Sequence, residues 1–270
     1  MKKIILLLIV QLFITSKSYS ELTIKIDRAE IGALPIMVHI NQDSKNYPAK
    51  EFKDIIENDL YGSGYFNVLD SLKVKNTIKN KSTQYALWNL AGANYFLKAD
   101  IYSNAGKDFI KFELHNVIKK NITISYKINL NEKSNIRKIS HTISNVIFED
   151  ITGIKGIFDT KIAYISTEKL ENRKIYKLHV ADIDGFNSVA IYKSSKQLMS
   201  PTWSPKNDKI AYVSFENNRP QIFIQTLSTG ERINLLGGNK SSSAPAWSPN
   251  EKFMAYTSSV NGNLEIFVYN

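Results

Sequence analysis

Two stretches of the sequence nearly repeat each other and decide the fold: SPTWSPKNDKIAYVS at residues 200–214 and APAWSPNEKFMAYTS at residues 244–258. Their Trp-Ser-Pro motifs lie 44 residues apart, and the Ala-Tyr pairs 211–212 and 255–256 keep the same offset. A fainter copy, KIAY at 161–164, precedes KIAY at 209–212 by 48 residues. Repeats of 40 to 50 residues that hold several short strands are typical of β-propeller blades.

Each repeat predicts four strands. In the central copy these are the segment ending at Trp203, then residues 209–215, 221–227 and 231–236, separated by turn residues. The tryptophan of each motif is expected to pack between neighbouring sheets, and the Ser-Pro step to begin a turn. The motif residues with this structural role are Trp203, Ser204, Pro205, Trp247, Ser248 and Pro249. Residues 154–270 are therefore predicted to form a partial β-propeller of about 2.6 blades.

Residues 21–153 predict an α/β domain, because strand and helix patterns alternate there. Two short strands are expected at 34–40 and 66–69, and three that alternate as an antiparallel meander at 94–102, 109–117 and 121–130. Helices are expected at 48–60, at 82–91 with Ser82 as candidate cap, and over the isoleucine-rich segment that Gly153 ends. We expect one sheet faced by helices.

The first twenty residues have the order of a cleavable secretory signal peptide. Lys2 and Lys3 precede an apolar run from Ile4 to Ile14, which is too short to span a bilayer comfortably. Cleavage is expected before Glu21, and the mature protein is not expected to span a membrane. The chain contains no cysteine, so disulfides and thiolate metal sites are excluded.

The formal net charge of +10 comes mostly from lysine, and no arginine-rich stripe predicts nucleic-acid binding. No Gly-x-Ser-x-Gly, His-Glu-x-x-His or phosphate-loop motif is present, so no enzyme, cofactor or metal site is predicted. The four histidines, His39, His115, His141 and His179, are scattered and predict packing or surface roles. Asp182-x-Asp184-Gly185 lacks the other ligands of a calcium loop and favours a β-turn between strands.

Several longer motifs resemble the TolB family, the periplasmic component of the Tol-Pal system. They are HTISNVIFEDITGIKG at 141–156, Asp-x-Asp-Gly at 182–185, LMSPTWSP at 198–205 and IQTL at 224–227. The resemblance runs from Glu21 to the end of the sequence. It implies an α/β domain on a six-bladed propeller, binding to the lipoprotein Pal through the propeller, and communication with TolA through the mature N-terminal segment. The implied role is support of the outer membrane and its invagination during cell division.

The resemblance suggests partner-binding residues in two places. One is the mature N-terminal segment, here Glu21 to Ala29, of which Glu21, Leu22, Thr23, Ile24, Lys25, Ile26 and Asp27 are the candidates. The other is the pair of loops before the inner strands, with Met199, Ser200, Lys240, Ser241, Ser242 and Ser243. Plain solvated loops are the alternative there.

The repeats after residue 156 are fewer than the six that the resemblance implies, so the sequence predicts a C-terminally shortened product with an exposed apolar sheet face. Two alternatives stay open. One is a fragment of a secreted, propeller-containing serine peptidase, and the other is a degraded product without activity.

Overall fold

The computed structural model describes residues 32–71, 84–131, 134–171, 173–238, 240–259 and 262–270. The predicted signal peptide, the segment Glu21–Ala29 and the candidate cap Ser82 lie outside these ranges. Leu34–Asn270 forms one compact unit, and it begins with an α/β layer.

The first sheet has five strands in the order β2-β1-β3-β4-β5. The strands are β1 (Leu34–Gln42), β2 (Phe66–Leu69), β3 (Tyr95–Asn104), β4 (Lys107–Asn116) and β5 (Asn121–Leu130). The last three form the predicted antiparallel meander. Strand β1 pairs in parallel with both β2 and β3, a pairing that the sequence did not predict.

Helices face this sheet, as predicted, and they cover both of its faces. They are α1 (Ala49–Gly62), α2 (Gln84–Leu90) and α3 (Ile136–Thr152). Helices α1 and α3 bury their apolar sides in the larger core, whereas Trp88 of α2 stacks on Phe96 across the other face. The side chain of Asn135 caps α3, and Gly153, with φ of 71°, ends it in the left-handed conformation predicted for a helix-ending glycine.

Three small antiparallel sheets follow and form a partial, open propeller. Blade 1 has β6 (Lys161–Leu170), β7 (Arg173–Asp182) and β8 (Val189–Ser194); blade 2 has β9 (Leu198–Trp203), β10 (Lys209–Ser214), β11 (Gln221–Thr226) and β12 (Arg232–Asn234); blade 3 has β13 (Ser243–Trp247), β14 (Met254–Ser259) and β15 (Leu264–Tyr269). The four strands predicted for the central repeat are confirmed. Blade 1 has no described strand at the position that β9 occupies in blade 2, as its missing Trp-Ser-Pro motif predicts.

The two Trp-Ser-Pro motifs build the same turn twice. The amide of Asn207 donates to Ser204 O, and the Ser204 hydroxyl accepts from the amide of Lys209 at 3.1 Å. The corresponding bonds in the second copy join Glu251 to Ser248 and Phe253 to the Ser248 hydroxyl. Proline follows each serine at the second position of the turn, where its fixed φ is favourable. The motif therefore fixes the step from the inner strand to the next strand.

Apolar clusters join the blades. Leu178 of blade 1 packs in one cluster with Ile210, Tyr212 and Phe223 of blade 2, and Trp203 lies against it. A second cluster joins Ile222 of blade 2 to Met254 of blade 3, with Trp247 against it; its other buried members are Ala211, Val213 and Leu235. The stacking is what allows each small sheet to bury its apolar side chains. On β15, Leu264, Ile266 and Val268 stay exposed.

Candidate protein-interaction site

The loops predicted to bind a partner lie at equivalent ends of blades 2 and 3. Met199 and Ser200 are the second and third residues of strand β9 and not part of the loop before it, whereas Lys240 to Ser242 lead into β13, whose first residue is Ser243. Ser200 and Ala244, 44 residues apart, both have φ of 50°, and the strand register shifts beside each of them. The repeat therefore reproduces an irregular backbone as well as its strands.

Met199, Ser200 and Lys240 are exposed, so their side chains are accessible to a partner. Ser243 is half-buried, and its hydroxyl lies 2.7 Å from the hydroxyl of Thr257 on the neighbouring strand. The carbonyl of Ser241 accepts a hydrogen bond from the Ser258 hydroxyl at 2.5 Å. These bonds hold the loop in place but leave Met199 and Lys240 projecting at the surface.

Ser242 does not fit the partner-binding role that we predicted for it. Its side chain is 1% exposed, and its hydroxyl accepts a hydrogen bond of 3.0 Å from the amide of Ile222 on β11. Its own amide donates to Pro220 O at 2.8 Å. Ser242 thus fastens blade 3's entry loop to blade 2. A serine-rich loop usually predicts exposed side chains. The hydrogen bond between the Ser242 hydroxyl and the Ile222 amide joins residues far apart in the sequence, so no local pattern predicts it.

The opposite end of blade 1 contacts the α/β domain, where the pairing of Lys161 with Asp182 places the β7–β8 turn beside the start of β6. There the Asp182–Gly185 segment forms the predicted β-turn, with the amide of Gly185 donating to Asp182 O at 2.8 Å. Arg137 of α3 reaches this turn, and its Nη2 lies 2.5 Å from Asp184 Oδ2. Our sequence interpretation missed this contact, since α3 and the turn are distant in the chain.

The contact belongs to a group that we call the interdomain cluster: Asp59, Arg137, His141, Asp182 and Asp184. His141, buried on α3, has its Nδ1 2.8 Å from Asp59 Oδ2 of α1. Asp59, His141 and Asp184 lie close enough together to hold a metal ion. The Arg137 guanidinium, however, contacts both His141 and Asp184 and supplies the positive charge at this place itself. The cluster is thus an ion-pair network, in which the buried Arg137 Nε has no hydrogen bond and lies 3.4 Å from Asp182 Oδ2.

The two turn aspartates remain ionised within the cluster. Burial acts to raise the pKa of Asp184, but hydrogen bonds from the Arg137 guanidinium and the Phe186 amide outweigh it, so the pKa lies below its usual range. The pKa of Asp182 is also lowered, because bonds from Lys161 and Asn187 exceed the effect of its burial. The turn therefore presents two negative charges to Arg137.

The other described histidines have packing roles. Burial lowers the pKa of His115, which lies among Tyr85, Trp88 and Phe96. His179, half-buried in blade 1, stacks on Tyr164 and lies 2.9 Å from the Ser166 hydroxyl. Among the described residues, no helix is long and apolar enough to cross a membrane.

Comparisons with known proteins agree with this architecture. The family model described as the TolB amino-terminal domain matches residues 22–123, and the TolB beta propeller domain model matches residues 148–270. The chain is 35% identical to the Tol-Pal system protein TolB of Hydrogenovibrio crunogenus, over 86% of this chain and 55% of the relative. It is 36% identical to the same protein of Coxiella burnetii, over 85% and 54%.

Among solved structures, that of TolB from Acinetobacter baumannii superimposes with a TM-score of 0.74 at 33% identity. The match covers 88% of this chain and 58% of that one. The chain thus spans about half the length of the curated relatives it matches.

Proposed function

The chain belongs to the TolB family, and on that premise we propose that it is a protein-binding component of the Tol-Pal system with no catalytic activity of its own. The observation that carries this proposal is the order of its parts: a TolB amino-terminal domain followed by TolB propeller blades, as in the relatives. The system would place the protein in the periplasm, exported by the signal peptide predicted over residues 1–20.

The blade ends away from the α/β domain are the proposed docking surface for the lipoprotein Pal. They combine the exposed side chains of Met199, Ser200 and Lys240 with the loop that enters blade 3. Hydrogen bonds of Ser241 and Ser243 hold that loop in place. Fixed loops lose little conformational freedom on binding, which favours affinity. Ser241 and Ser243 border this surface. The segment Glu21–Ala29 is the proposed contact for TolA.

Through these two partners the protein would connect the outer membrane to the inner membrane, and would support envelope integrity and invagination during division. It would stay peripheral to both membranes. The clusters of side chains among the described residues are packing clusters and ion-pair networks, which fit a protein that binds partners.

The proposal is tested by measuring the affinity of purified Pal for the chain and for the double variant Met199→Ala/Lys240→Glu. We expect affinity to fall about five- to thirty-fold, as loss of one or two significant contacts does. Lys107→Glu is the matched control, because Lys107 is an exposed lysine at the start of β4 in the α/β domain.

Circular dichroism establishes that each variant is folded. A folded double variant that binds Pal as tightly as the unchanged chain would reject this surface. If the unchanged chain itself shows no measurable affinity for Pal, the proposed function is wrong for this chain.

A further inference from the structure

Among the described residues, no buried apolar cluster joins the α/β domain to the strands of blade 1. The interface between them runs through loops and contains two cavities of about 490 Å³ and about 230 Å³. The larger lies between the end of α1 and the linker that follows α3, with Tyr65, Phe148, Ile157 and Ile183 among its walls. Domains joined by small interfaces move relative to each other by default. Specific contacts must oppose that motion if the α/β domain and the blades are to act together.

The linker itself is fastened to α3 at one point. Asn145 donates to Asp159 Oδ1 and accepts from the amide of Phe158, both at 2.8 Å. Gly156 approaches the backbone of Asn145 so closely that an added Cβ would lie 2.6 Å from its Cα. Phe158 completes the attachment by packing edge-on against Phe148. One fastened point still permits rotation of the blades about it.

Arg137 supplies a second point of attachment at the other side of the interface. Besides its ion pair with Asp184, its Nε lies 3.4 Å from Asp182 Oδ2, and its guanidinium stacks on Phe186 at 4.1 Å. All of these partners belong to the β7–β8 turn of blade 1. The Arg137 side chain is only 16% exposed, so water screens these interactions weakly.

His141 and Asp59 fix the position of Arg137. A carboxylate accepts, so Asp59 receives the hydrogen on His141 Nδ1. The other ring nitrogen, Nε2, lies 3.2 Å from Arg137 Nη2, within hydrogen-bond distance of the guanidinium. The chain of contacts therefore runs from α1 through α3 to blade 1, without a break.

We propose that Arg137 is the residue that holds blade 1 against the α/β domain, and that without it the blades move about the linker attachment at Asn145. Arg137 is thus a positioning residue between the two parts of the chain. This inference concerns the interface itself and does not depend on the partner proposed above.

The test is hydrogen exchange on the unchanged chain and on Arg137→Gln. We expect exchange to rise about ten-fold or more at the amides of Ile183 and Phe186, because hydrogen bonds to charged groups contribute this much. Both amides lie in the turn that Arg137 contacts: Ile183 donates to Thr160 O within blade 1, and Phe186 donates to Asp184 Oδ1, on the carboxylate that pairs with Arg137. Amides of β3 and β4 should be unchanged. Arg137→Lys, which keeps the charge but loses the planar fork, should recover only part of the protection.

Lys138→Gln is the matched control, since it removes one positive charge from the same helical turn; its exchange should equal that of the unchanged chain. Unchanged exchange at Ile183 and Phe186 in folded Arg137→Gln would overturn the proposal. If that variant also loses protection in β3 and β4, Asp184→Asn decides, because it leaves α3 intact. Increased exchange confined to the interface supports the proposal, and no increase refutes it.

Discussion

The two junctions on either side of blade 1 are each built around an arginine, but they differ in what surrounds it. Arg137 joins blade 1 to the α/β domain through aspartates, beside two cavities. Arg232 of blade 2 lies at the junction with blade 1, where it stacks on Tyr192 at 3.6 Å and pairs with Glu216 at 2.9 Å. An apolar cluster surrounds this second arginine.

The difference indicates how each junction is stabilised. Burial of apolar surface stabilises the blade 1–blade 2 junction, the Tyr192 hydroxyl donates across it to Glu216, and Arg232 holds Glu216 and the Tyr212 hydroxyl by hydrogen bonds within blade 2. Among the described residues, no apolar cluster joins the α/β domain to the strands of blade 1, although Phe158 of the linker packs in the α/β core. Loss of one arginine should therefore loosen the interdomain junction but leave the blades stacked.

The largest expected effect comes from removing apolar area between the blades. Tyr212 is fully buried and lies beside Tyr192 and Phe223. Tyr212→Ala should lower the free energy of unfolding of the blades by about 3–5 kcal/mol, the usual cost of deleting a buried aromatic ring. Urea unfolding followed by tryptophan fluorescence measures it.

Ile233→Ala is the control within the same blade, because Ile233 is 53% exposed. It should change stability by no more than about 0.5 kcal/mol. Equal effects of the two substitutions would show that the apolar cluster does not hold the blades together.

A smaller effect is expected for Arg232→Gln. It removes the bonds to Glu216, which keeps its contacts with the Tyr192 and Ser214 hydroxyls. The blades should lose about 1.5–3 kcal/mol of stability. Exchange at the Ile183 amide should not change, in contrast to Arg137→Gln. Faster exchange there in Arg232→Gln would mean that the two junctions are coupled and that our distinction between them is wrong.

Much of the fold could be predicted because its signals are local or periodic. Helix α3 follows from isoleucines at helical spacing and a final glycine, and blades 2 and 3 follow from a repeat that fixes turns as well as strands. The recognised family also agrees with the comparisons. The parallel pairing of β1 could not be predicted, since a strand pattern does not specify its neighbours.

The site was harder to predict for the same reason. Ser242 looked like a surface residue, yet it bonds to the backbone of β11, and the interdomain cluster joins residues from α1, α3 and a blade turn. Such contacts depend on the tertiary arrangement, and the spacing of residue types along the sequence does not predict them. The roles proposed for Met199, Lys240 and the segment Glu21–Ala29 remain predictions from the family resemblance.

The most direct test of the account is native-state hydrogen exchange on the unchanged chain, which measures the free energy of local opening at each amide. The amide of Ile183 reports the blade 1 turn that Arg137 contacts, and those of Ile222 and Leu235 report blade 2. We predict that Ile183 opens in a separate, lower-energy step, with protection at least about ten-fold weaker than that of the blade amides. Equal protection at all three amides, lost together as denaturant is added, would contradict the account.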